Sequence, residues 1–157
     1  MATGPGRLLY LEDFHEGQRF STGSATLDAA AIKGFAAEFD PQPFHLDEAA
    51  AESSFFQGLA ASGWHTAALT MRLLVGGGAM GDGLPVAGGL IGGGLDLRWP
   101  RPTRPGDTLR VDCVVAKVAP SRSRPERGMV TMRCETLNQN DEVAQVMVTN
   151  LVVPRRP

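Results

Sequence analysis

Residues 62–75, SGWHTAALTMRLLV, contain one charged side chain, Arg72, when histidine is counted as neutral. Read as a helix the segment spans about 21 Å at ~1.5 Å per residue. A helix that is apolar nearly all round is normally buried, so the rest of the chain must supply a surface to bury it. The C-terminal half has that capacity. TLRVDCVVAKV places Leu109, Val111, Cys113 and Val115 on one face, and MVTMRCETL and VAQVMVTNLVV continue the period of two. LDLRW adds a further strand-like run, and one more short strand is expected near 18–25. The breaks carry turn chemistry: the proline corner PRPTRPGD, the polar stretch APSRSRPERG (119–128) expected as an exposed loop, and the tight turn NQND. The pattern predicts one α+β domain over 1–157, with an antiparallel sheet of about five strands packed on one long helix at about 62–75.

The first half reads mostly helical. LDAAAIKGFAAEFD sets Ile32, Phe35, Ala36 and Phe39 on one stripe, with Asp28 as N-cap and Leu27–Ile32 at staple spacing. The helix should stop at Phe39 or Asp40, because a residue before proline is pushed out of the helical region. A short helix is expected from 47 to about 53, capped by Asp47. Residues 76–94 hold ten glycines in nineteen positions, and GGGAMG (76–81) formally fits G-x-G-x-x-G. A dinucleotide loop of that form follows a strand and opens a helix. This one follows a helix and leads into more glycine, so it is not read as a nucleotide site.

Charge and cysteine usage exclude several functions. Fifteen basic and seventeen acidic residues give a net charge of −2 with no basic run, so neither nucleic acid nor an acidic membrane surface is an expected partner. The N-terminus lacks the apolar stretch of a secretory signal and no segment approaches the ~20 apolar residues of a spanning helix, which makes a cytoplasmic location the default. Cys113 and Cys134 are too few and too widely spaced for a zinc cage and are expected as free, buried thiols facing each other across a hairpin. No metal site is expected.

FDPQPFHLD (39–47) combines an acid, two prolines and a histidine. Asp40 alone would be read as a helix or turn cap, and His45 alone as a satisfied loop histidine. Together, in a proline-stiffened loop, they suit proton transfer: imidazole has an unperturbed pKa of ~6.5, and a carboxylate orients a water beside it.

In that architecture DPQPFHLD, ASGWHT (61–66), RWPRPTRPGDTL (98–109) and YLEDFHEGQRF (10–20) together resemble the MaoC-like dehydratases, the family containing R-specific enoyl-CoA hydratases. The resemblance covers nearly the whole chain. It implies the hot-dog fold, in which the sheet wraps the central helix, and a hydratase or dehydratase acting on a 2-enoyl-CoA or acyl-carrier-protein thioester. It implies Asp40 and His45 as the catalytic dyad, the backbone N–H of Gly63 as oxyanion donor, no metal or organic cofactor, and a homodimer. Two positions depart from many members: Gln42 stands where asparagine is common, and Ser62 where histidine is common.

Around that core, Ser62 is either an N-cap or a polar contact to substrate. Trp64 is a candidate substrate-binding residue and, with His65, is expected in the core or the pocket wall. Arg98, Arg101 and Arg104 are expected as solvated surface arginines rather than phosphate ligands. Two other readings fit the fold. A hot-dog thioesterase commonly uses a carboxylate on the central helix, and none lies between Ser62 and Gly81. A non-catalytic acyl-CoA-binding protein would not need the dyad.

Overall fold

The computed structural model describes residues 7–76 and 84–157. Five antiparallel strands form one sheet in the order β1-β3-β4-β5-β2: β1 Arg19–Thr26, β2 Ile91–Arg98, β3 Thr108–Pro120, β4 Arg127–Leu137 and β5 Val143–Pro154. Four helices precede β2: α1 Ala29–Phe39, α2 Pro43–Leu46, α3 Glu48–Glu52 and α4 Gly63–Gly76. The alternation read from the sequence holds, with Leu109, Val111, Cys113 and Val115 of β3 facing inward beside Val130, Met132 and Cys134 of β4. Leu69, Leu73 and Leu74 of α4 complete that core. The sheet curls around α4 in the hot-dog arrangement.

Capping follows from the residue types. Asp28 accepts a hydrogen bond from the Ala31 N–H and Asp47 one from the Ala50 N–H, both at 2.8 Å. Cys113 and Cys134 are directly opposite one another and free. The hydrogen bond between them and their burial push the Cys113 thiol well up, away from thiolate chemistry.

The contact between α4 and the sheet is not uniformly apolar. The Thr70 hydroxyl donates to the Thr66 carbonyl at 2.8 Å and accepts from Thr136 at 2.6 Å and from the Gln145 amide at 3.1 Å. Thr66 and Thr103 bond through their hydroxyls at 3.0 Å. All five residues are buried, so each lost partner would leave a desolvated polar group.

Four expectations are corrected. Helix α4 is buried on one face only: Trp64 is 61% and Val75 57% exposed, with Met71 between them. One wrapped sheet covers half a helix, and the outer stripe is left uncovered by the described residues. Phe39 is likewise exposed, because the last turn of α1 runs past the core. The proline-stiffened loop contains a helical turn, α2, for which Pro43 supplies the preset φ at its first position. β3 and β4 extend into the expected exposed loop and shorten it to 121–126. Of GGGAMG, residues 77–81 lie outside the described residues.

Candidate active site

His45 is brought inward by α2 and is 4% exposed. Its Nδ1 lies 2.6 Å from the Ala60 carbonyl oxygen. A carbonyl only accepts, so Nδ1 carries a ring proton and Nε2 is the nitrogen left to face Asp40. Nε2 is 3.3 Å from Asp40 Oδ2. Asp40 ends α1, where Pro41 stops the helix, and the Gln42 amide donates to its other oxygen at 2.6 Å. Burial raises the Asp40 pKa. The donors Gln42 and Ser62 and the nearby His45 outweigh it and hold the carboxyl below its usual value.

The Ala60 carbonyl is itself held in place. The guanidinium of Arg104 donates to the carbonyls of Phe56, Gly58 and Leu59 at 2.5, 2.9 and 3.3 Å. Asp107 fixes the proline corner by accepting from the Arg104 N–H at 2.7 Å. The segment before α4 contains Gln57 at φ 53 and is pinned at its α4 end, with Ala60 N–H donating to Phe44 and Ala61 N–H to Thr103. Arg104 is therefore a clamp turned inward, unlike the solvated residue expected. Arg98 and Arg101 lie on the surface and pair with Asp96 and Glu142.

Ser62 is fully buried at the N-cap of α4: its carbonyl accepts from His65 and Thr66, and its hydroxyl accepts from the Trp64 N–H at 3.3 Å. Gly63 follows as the first helical residue, and its N–H has no hydrogen-bond acceptor among the described residues. His45 and Gly63 line one pocket of about 500 Å³, walled by Phe44, Phe56 and Trp99 with Phe55 at the edge. Asp40, 17% exposed, stands just outside that lining and reaches it through Gln42 and His45. The structure thus brings together Asp40, His45, Ser62 and Gly63.

Trp64 is not brought in. It points outward and meets Trp99 edge to face at 5.7 Å. His65 is half-buried against Phe35, with parallel rings 4.5 Å apart, and burial lowers its pKa. Sequence reasoning gave no role to Trp99, placed Arg104 among the solvated surface arginines and gave no role to Gln145. The quoted RWPRPTRPGD block contained the first two, but only the folded corner reveals which way they face.

A MaoC like domain model matches residues 13–138. The chain belongs to the MaoC-like family. A solved MaoC-like dehydratase from Rhodospirillum rubrum is 58% identical, with a TM-score of 0.90 over 95% of this chain and 99% of that one. The Bacillus subtilis protein YdeM is 34% identical over 131 residues, 83% of this chain and 89% of its own length. An R-hydratase of Pseudomonas aeruginosa, solved without ligand, is 25% identical with a TM-score of 0.72, covering 94% of this chain and 86% of that one. The backbone fold is therefore shared with the Rhodospirillum rubrum structure over nearly the whole of both chains. No helix among the described residues is long and apolar enough to cross a membrane.

Proposed function

We propose that this MaoC-like protein catalyses the reversible hydration of a 2-enoyl thioester, carried on CoA or an acyl carrier protein, to the 3-hydroxyacyl thioester. The observation that carries this reading is the meeting of His45, tautomerically fixed and paired with Asp40, and the free N–H of Gly63 in one aromatic-walled pocket. The likeness to an R-hydratase supports the R product.

Addition of water to an enoyl thioester needs a base for water, a proton for C2 and a donor for the carbonyl oxygen. With Nδ1 committed to Ala60, Nε2 takes a proton from water as its oxygen bonds to C3. Electron density moves through C2 to the thioester oxygen, which the Gly63 N–H receives at a helix start where the dipole favours negative charge. Such a donor supplies about 3–4 kcal/mol of transition-state stabilisation. The imidazolium then returns its proton to C2, the carbonyl re-forms, and His45 is neutral again. The Asp40 carboxylate stabilises the transient imidazolium and orients the water. One group serving both carbons from one side gives syn addition. No cofactor enters these steps. A thioesterase reading finds no carboxylate on α4 to activate hydrolytic water.

The same reading includes a homodimer. The outer stripe of α4, Trp64, Met71 and Val75, lies exposed, as do Ile91 and Leu95 of the edge strand β2. Exposed apolar side chains on a helix and on an edge strand are surfaces a second copy would cover.

The test is a panel of 2-enoyl-CoAs of increasing chain length followed by loss of conjugated absorbance. At least one should be hydrated. No turnover of any member by folded protein would overturn the hydratase reading.

A further inference from the structure

The indole of Trp99 rests on the backbone of Gly63. A Cβ at position 63 would meet Trp99 Cε2 at 2.6 Å and Cδ2 and Cζ2 at 2.8 Å, so the ring occupies the space that any other residue's side chain would need. Trp99 follows directly after β2, and its indole N–H donates to Gln145 Oε1 at 2.9 Å. Gln145 is fully buried in β5 and its amide donates on to Thr70 of α4. Trp99 is 41% exposed, yet its N–H goes to the buried Gln145 rather than to water. The ring is anchored into the polar layer between helix and sheet and cannot swing aside without leaving the Gln145 oxygen unpaired in the core.

We propose that Trp99, anchored by Gln145, is a specificity-determining residue that limits the bulk accepted at C2 of the acyl group. The inference rests on the hydratase reading for the substrate's orientation. In that reading the thioester oxygen sits on the Gly63 N–H and C3 sits at His45 Nε2, which places C2 between them. Gly63, His45 and Trp99 line the same pocket. The planar enoyl segment therefore passes beside the indole at C2, and a branch there competes with the ring for space. Nothing in the dyad distinguishes a substituted C2 from a plain one. The fixed wall does.

The test compares wild type, Trp99→Ala, Trp99→Phe and Gln145→Met. For each, kcat/KM is measured with crotonyl-CoA and 2-methylcrotonyl-CoA, and Kd by calorimetry with butyryl-CoA and isobutyryl-CoA, which cannot be hydrated. Trp99→Ala should raise the branched-to-straight ratio at least about tenfold, the scale of one methyl group's discrimination in a pocket. Trp99→Phe and Gln145→Met should shift it the same way by less. An unchanged ratio in folded Trp99→Ala, or in Trp99→Phe if the alanine variant does not fold, overturns the proposal. If wild type hydrates neither these substrates nor any member of the chain-length panel, the hydratase reading falls. The calorimetric ratio then decides whether Trp99 selects against C2 branching.

Discussion

His45 gives its Nδ1 hydrogen to the Ala60 carbonyl 2.6 Å away and thereby turns Nε2 toward Asp40 Oδ2, 3.3 Å off. Main chain sets the tautomer and a carboxylate meets the other nitrogen. Asp40→Asn and His45→Ala should each lower kcat by about a hundred- to ten-thousand-fold, the range for losing a general acid–base group. Circular dichroism should be unchanged. Near-wild-type turnover in both variants would show that the chemistry lies elsewhere.

Arg104 should matter to stability before it matters to chemistry. Its guanidinium satisfies three carbonyls of the segment that ends in Ala60. Arg104→Ala should cost about 2–3 kcal/mol in denaturant unfolding, since hydrogen bonds to a charged group are worth ~1.5–3 kcal/mol each and freed carbonyls regain some water. Arg104→Lys, a single point charge without the fork, should recover only part. A loss below 0.5 kcal/mol, at about the scale of ordinary surface substitutions, would show the clamp to be dispensable.

The depressed Asp40 pKa has a direction that titration can check. An unfolded aspartate titrates near ~3.9. Because the folded carboxyl lies lower, it contributes stability that is fully present above that value and is lost as pH falls through the folded value. Gln42→Leu and Ser62→Ala remove donors, so each should raise the Asp40 pKa in a carbon-13 NMR titration. Each should also lose less stability than wild type between about pH 7 and pH 3. An Asp40 titration indifferent to both changes would mean the donors are not what holds it down.

Gly63→Ala drives a methyl group into the Trp99 ring. The variant should melt lower than wild type. The double change with Trp99→Leu should recover part of the loss, with a coupling of about 1–3 kcal/mol in a double-mutant cycle. Strict additivity would contradict the contact.

Charge on the open face should disrupt association. Val75→Glu and Leu95→Arg should each convert a dimer to monomer in sedimentation velocity, with the far-ultraviolet spectrum retained. An unchanged sedimentation coefficient would place the partner surface elsewhere.

The sheet and its central helix were legible because their periods differ: two for Leu109 to Val115, and a nearly uncharged helical run at 62–75. Asp40, His45 and Gly63 were legible as a resemblance, and the caps at Asp28 and Asp47 as local chemistry. The directions of side chains after tight corners were not legible. Whether Arg104 turns in or out depends on where carbonyls 56, 58 and 59 point, and no spacing encodes that. Trp64 and Trp99 are both tryptophans beside small or proline residues. Only tertiary packing sends Trp99 onto Gly63 and Trp64 outward. The apolar α4 stripe misled for a related reason. Hydrophobicity says that a face will be covered, not that the same chain will cover it.

His45 Nδ1 is held by a main-chain atom, the Ala60 carbonyl, and Gly63 offers the pocket a main-chain N–H, whereas the walls at Phe44, Phe56 and Trp99 are side chains. Point mutation rewrites side chains and leaves every peptide group in place. Descendants of this gene can thus exchange one wall for another while the main-chain setting of His45 and Gly63 is inherited unchanged.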